Sequence, residues 1–150
     1  MDNDQTTRNK RIDCPTFFSA LGITLGFSAF VTFFILENYD AAIWAFASFV
    51  VASICFYLNY LDMKKRIPEK YDINDVQDMQ GLGIVFAVVG LSGSLWYTFK
   101  FFYYHIPVMP IDHSVAIAMV WAFMTMKWGL QLTYYTHVYK KQLRNSRLLP

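Results

Sequence analysis

The chain has 150 residues, of which 55% are apolar, 19% aromatic and only 16% charged, with a formal net charge of +2. Soluble domains carry about 25% charged residues, and here the charges are also excluded from long stretches. That excludes a secreted disulfide scaffold, a nucleic-acid binder and a cytosolic enzyme, and leaves a small polytopic membrane protein.

Cys14–Leu36, Ala41–Leu61 and Met79–Phe99 contain no Asp, Glu, Lys or Arg, and His113–Tyr139 contains only Lys127. Each interval reaches the roughly 20 residues that a helix needs to cross about 30 Å of hydrocarbon. The expected fold is an all-α integral membrane protein of four transmembrane helices, with spans near 15–36, 41–61, 80–101 and 114–136. Short connections lie at 37–40 and 102–113, a longer one at 62–79, and a tail at 137–150. Arg8, Lys10, Arg11, Lys64, Lys65, Arg66, Lys70, Lys140, Lys141, Arg144 and Arg147 fall on one side of this scheme, and Lys100 on the other. The positive-inside rule then places both termini and the 62–79 loop in the cytoplasm.

Residues 1–13 are polar and are expected to be mobile, and Pro15 suits a first helical turn. In span one, Ser19, Gly22, Gly26 and Ala29 recur at helical spacing, and span three repeats the pattern with Gly83, Ala87, Gly90 and Ser94. Such stripes let backbones approach closely; a slot for a flat ligand is the other use. Cys14 lies at the cytoplasmic boundary and Cys55 within span two, so no disulfide is expected. There is no CxxC, no HExxH and no phosphate-binding glycine loop.

The connection after span one is short enough to force a tight hairpin. Span two ends in Tyr57-Leu-Asn-Tyr60, whose tyrosines share a face. The loop at 62–79 mixes both signs of charge around Pro68 and has room for a short interfacial helix. The loop after span three opens with Lys100-Phe-Phe-Tyr-Tyr-His105, and Pro107 and Pro110 extend it. Tyrosines at a membrane boundary are ordinary anchors; an imidazole and a cation among them also suit a ligand. Lys127 stands near the middle of span four, where an ionisable side chain costs about 2.5–3.5 kcal/mol. Met124, Lys127, Gln131 and Tyr134 form a polar stripe with it. Span four closes on Tyr134-Tyr-Thr-His137-Val-Tyr139-Lys140-Lys141.

The ends of spans two and four both fall at the cytoplasmic boundary, where rings beside an imidazole and cations suit a large planar anion, whose metal His or Tyr ligates and whose carboxylates Lys pairs. A b-type haem clamped between two histidines of one protomer is excluded. His113 and His137 stand roughly 36 Å apart on one helix, too far to clamp one iron, and His105 is on the external side.

The run Val120-Trp-Ala-Phe-Met-Thr-Met-Lys127-Trp128, followed by Tyr135-Thr-His137-Val-Tyr139-Lys140, closely resembles the haem-responsive-gene-1 family of haem transporters (solute carrier family 48). Weaker similarity extends over most of the chain. The resemblance implies four spans, cytoplasmic termini, no enzymatic activity, and haem as the transported substrate carried into the cytosol. By the same resemblance, His105 matches the family's external-loop histidine, with His113 as runner-up. His137, Tyr139, Lys140 and Lys141 match its aromatic and basic C-terminal motif. The family's histidine near the end of span two is replaced here by Tyr57 or Tyr60, as in the nematode plasma-membrane importers. The expected haem contacts are therefore His105, His113, Lys100, Tyr57, Tyr60, Lys127, His137, Tyr139, Lys140 and Lys141, with His105 and Tyr60 as candidate iron ligands.

Expected partners are haem, the bilayer and further copies of the chain, with no nucleic acid. Leu148-Leu149 lacks the upstream acid of an endolysosomal signal, so the plasma membrane is the expected location and an endosomal or lysosomal membrane the alternative. The alternative function is a non-transporting tetraspan adaptor or assembly protein, in which the stripes are protein contacts.

Overall fold

A computed structural model describes residues 2–64, 67–105 and 114–148, with the side chains of residues 2–15, 68, 69 and 146–148 left aside. His113 and most of the 102–113 connection therefore lie outside the described residues. The elements in chain order are α1 (Asp2–Ile35), α2 (Tyr39–Met63), α3 (Ile67–Lys70), α4 (Ile73–Tyr103) and α5 (Val115–Leu148). Four of them, all but α3, are long and apolar enough to cross a membrane. In hydrocarbon only a helix or a closed barrel satisfies its own backbone, and the described residues contain no strand.

The helices run further than the apolar segments alone suggest. α1 begins at Asp2, so Pro15 lies inside it rather than in its first turn, just before the apolar part Thr16–Ile35. α5 continues without a break through the basic tail to Leu148. The polar stretch 62–79 is largely helical as well: the end of α2, the single turn of α3 and the start of α4. Asp72 caps α4, its carboxylate accepting from Ile73 N–H at 2.7 Å while the carboxylate of Asp75 accepts from Asp72 N–H at 3.0 Å. This reciprocal box fixes where the chain re-enters a helix after the loop.

The hairpin between α1 and α2 closes on three residues. Asn38 N–H donates to Phe33 C=O and Glu37 N–H to Phe34 C=O, the paired bonds that end a helix through a left-handed residue. That residue is Glu37, with φ 58°. Asn38 at once caps α2, its side-chain oxygen accepting from Ala41 N–H at 3.1 Å. Its side-chain nitrogen donates to Ser114 C=O at 3.4 Å, tying the hairpin to the start of α5.

α5 packs most extensively against α4, then against α2, while α1 lies mainly against α2. Small residues make the α4–α5 contact possible. A Cβ on Gly90 would stand 2.5 Å from Met126 N and 2.9 Å from Ala122 O, and one on Gly129 would stand 2.5 Å from Ala87 N. The α1 stripe is filled in the same way: the Trp128 ring occupies the space over Gly22, and the Phe49 backbone lies against Gly26. Both small-residue stripes therefore serve helix packing, and neither is left as a slot.

Gly90→Leu should therefore push α4 from α5 and cost roughly 1–3 kcal/mol, the usual effect of overpacking. Gly81 has nothing within 4 Å of a built Cβ, so Gly81→Leu should leave the thermal midpoint of the detergent-solubilised protein unchanged. Equal midpoints for the two variants would contradict this packing.

Candidate functional site

The residues expected to carry chemistry separate into a cluster at the end of α4, a mid-span lysine and a cluster at the opposite end of the bundle. In the first cluster, α4 ends where Tyr104 N–H bonds Lys100 C=O at 3.1 Å and His105 follows with φ 47°. His is among the residues tolerated in this left-handed region. His105 is exposed, so it both stops the helix and presents an imidazole. Below it, Trp96, Phe99 and Tyr103 climb the outer face of α4 at steps of three and four, which makes them neighbours. Trp96 and Phe99 stack with centroids 6.4 Å apart, and Phe99 and Tyr103 with centroids 5.2 Å apart at 18°. The Lys100 ammonium lies 5.6 Å from the Trp96 ring and 5.9 Å from Tyr97. The ladder extends the cluster downward through Trp96 and Phe99, residues that sequence reasoning did not single out; their i, i+3, i+7 spacing with Tyr103 was the available signal.

Lys127 projects from the side of α5 that no other span covers. Met124, Lys127 and Tyr134 of its stripe are exposed, and Gln131 is half-buried with its amide donating to the Tyr135 hydroxyl at 3.3 Å. The ammonium rests 4.5 Å from the centroid of the Trp128 ring. The stripe thus runs along the outside of a single bundle and does not line its interior.

At the opposite end, Tyr57 and Tyr60 are exposed on α2, at 39% and 42%. Each lies beneath a cation. Lys70 donates to the Tyr57 hydroxyl and stands 5.0 Å from that ring, while Lys64 stands 5.9 Å from the Tyr60 ring. The hydrogen bond to Tyr57 holds the Lys70 ammonium above its ordinary range. Burial does the same to the neighbouring Tyr71 phenol. α3 is what delivers Lys70: Ile67 is buried in the cluster formed by Leu58, Leu61, Val76 and Leu143, so the turn is anchored.

Other members of the expected set are placed differently. Tyr139 is only 4% exposed. Its hydroxyl donates to the side-chain oxygen of Asn59 at 3.1 Å, and the Asn59 amide reaches Ser19 Oγ at 3.5 Å. This clamp joins α5, α2 and α1 inside the bundle, so the Tyr139 hydroxyl is engaged within the protein. Lys140 donates to the Gln77 side chain at 2.8 Å, linking α5 to α4. His137 and Lys141 are exposed on α5. Among the described residues, no group of three or more His, Cys, Asp and Glu is gathered to hold a metal ion.

The arrangement is therefore two aromatic–cation clusters at opposite ends of a helical bundle, with one charged side chain between them on an outer face. The profile of a family described as "Haem-transporter, endosomal/lysosomal, haem-responsive gene" matches residues 78–128. That stretch holds most of α4, its aromatic ladder, Lys100, His105 and the first part of α5, up to Lys127 and Trp128. No curated protein and no solved structure matches the chain.

Removing the Tyr139 hydroxyl separates packing from ligand contact. Tyr139→Phe should cost about 1 kcal/mol by leaving the Asn59 oxygen unpaired, and thermal unfolding should show a lower midpoint. Tyr60→Phe, on an exposed ring, should leave the midpoint where it was. A stable Tyr139→Phe protein would contradict the clamp.

Proposed function

We propose, from the premise that the chain belongs to the haem-responsive-gene family of haem transporters, that it imports haem into the cytosol across the plasma membrane. The observation that carries this reading is the match itself, because residues 78–128 hold the external receiving cluster and the mid-span lysine together. The basic residues on one side of the spans set the direction of insertion, with both termini cytoplasmic. His105 then faces the outside and Tyr57, Tyr60 and His137 face the cytosol.

Haem is a flat, apolar ring carrying two carboxylates, and the clusters supply a match for each part. At the outer face the porphyrin stacks on Phe99 and Tyr103, Lys100 pairs with a carboxylate, and His105 offers its imidazole to the iron. At the inner face Tyr57 and Tyr60 offer rings and hydroxyls beneath Lys70 and Lys64, with His137, Lys140 and Lys141 nearby in sequence on α5. Tyr139 supports this face from within through Asn59. His113 stays the second choice for the external ligand. The absence of an acid upstream of Leu148-Leu149 supports residence at the plasma membrane over an endosomal or lysosomal membrane. Nothing in this route calls for nucleotide hydrolysis, and no phosphate-binding loop is present in the sequence.

The turn at His105 dictates how its role is tested. Alanine removes the imidazole and also strains a left-handed residue, a penalty of about 1–2 kcal/mol, whereas Gly and Asn accept that conformation. His105→Gly and His105→Asn should each lower haem uptake at limiting haem by roughly tenfold, the loss of about 1.4 kcal/mol of binding, with abundance at the cell surface unchanged. Undiminished uptake by both variants would remove His105 from the route.

A further inference from the structure

The two exposed tyrosines near the end of α2 are treated unequally by the turn that follows them. The Tyr57 hydroxyl accepts a hydrogen bond from the Lys70 ammonium, and the Tyr71 hydroxyl hydrogen-bonds the same group. Lys64 meets Tyr60 through the ring, 5.9 Å from its centroid. Among the described residues, no side chain hydrogen-bonds the Tyr60 hydroxyl.

Both partners of Tyr57 come from one short segment whose backbone is held. Ile67 is only 4% exposed, and Tyr71 packs against the same apolar cluster. Tyr71 N–H donates to Ile67 C=O at 3.0 Å, and the Asp72 cap starts α4 directly afterwards. Lys70 and Tyr71 therefore reach Tyr57 from a fixed frame.

A phenol oxygen that receives two donors, one of them charged, is prepared for its anionic form. Charge-assisted hydrogen bonds are roughly twice as strong as neutral ones, and bonds to the charged form favour it. A phenolate oxygen has three lone pairs. Two of them meet Lys70 and Tyr71, which leaves one for a metal. Such an oxygen is a hard donor, better matched to trivalent than to divalent iron.

We propose that Lys70, together with Tyr71, is the positioning residue that makes Tyr57 rather than Tyr60 the iron-binding oxygen at this end of the bundle, and that it gives the site a preference for ferric over ferrous haem. Naming haem rests on the transporter reading; the unequal treatment of the two hydroxyls does not. When ferric haem binds, the Tyr57 O–H bond breaks, an Fe–O bond forms and the proton passes to water. No electron moves, and Lys70 stays an ammonium that donates to the bridging oxygen. The iron ligand expected at Tyr60 is thereby moved one helical turn back along α2.

The test is resonance Raman spectroscopy and absorbance titration of the purified full-length protein in detergent, with ferric haem and with haem reduced by dithionite. Wild-type protein should show the ring modes of an iron-bound tyrosinate with ferric haem, and Tyr57→Phe, which keeps the ring, should lose them. Modes that survive Tyr57→Phe and vanish in Tyr60→Phe would overturn the assignment. Lys70→Met should lower the ratio of ferric to ferrous affinity by roughly fivefold, the scale of one charged hydrogen bond at an exposed site. Lys70→Arg keeps the charge and a donor and should restore most of that ratio. An unchanged ratio in Lys70→Met, including an equal loss of both affinities, would reduce Lys70 to general attraction and overturn its role. Wild-type protein that binds haem without tyrosinate modes overturns the proposal and leaves the transporter reading standing. A folded protein that gives no absorbance change with haem overturns both.

Discussion

The rotation of α5 about its own axis decides where every candidate residue of the last span ends up, and small side chains set that rotation. Gly129 lies against the α4 backbone at Gly83 and Ala87, and Gly90 against the α5 backbone at Ala122 and Met126, within distances that admit no larger residue. Thr125, Leu132 and Tyr139 are buried on the side of α2. Membrane helices gain nothing from hiding apolar surface from lipid, so packing of this closeness and a few hydrogen bonds are what hold them. With two sides of α5 fixed in this way, Lys127 can only point outward. Half a turn of rotation would instead bury an unpaired ammonium against α2.

The same forces explain what the sequence made legible. Charge-free intervals gave the four spans because a charge in hydrocarbon is costly, and both glycine stripes pointed to the packing that the structure shows at Gly22, Gly26, Gly83 and Gly90. The faces of the spans were less legible. A helix that is apolar all round carries little record of which side meets protein, so the polar stripe through Lys127 gave no sign that it lies outside the bundle. Tyr139 reads like an interfacial anchor beside Lys140, and its burial depends on Asn59, a residue 80 positions away in sequence. Asn59 itself sits between two conspicuous tyrosines and drew no notice. The left-handed turn at His105 is likewise invisible in composition, since His is not a residue that demands it.

Two kinds of site emerge from the geometry. The clusters at the ends of the bundle are exposed, aromatic and cationic, and are built from short local pieces: a ladder on α4, and two tyrosines of α2 with lysines held over them by the end of α2 and the anchored turn of α3. They suit capture and release of a flat anion better than retention, because no described group encloses a ligand. The intermediate station is a single charge on an uncovered face. This division of labour suits a carrier whose substrate brings its own metal.

The most direct measurement is haem transfer into sealed liposomes by the purified protein, with an apo-peroxidase trapped inside as the haem acceptor. Wild-type protein should load the trapped peroxidase severalfold faster than protein-free liposomes do, and Lys127→Met should fall towards the protein-free rate. Loading at the protein-free rate by wild-type protein that is folded and inserted would contradict transport altogether.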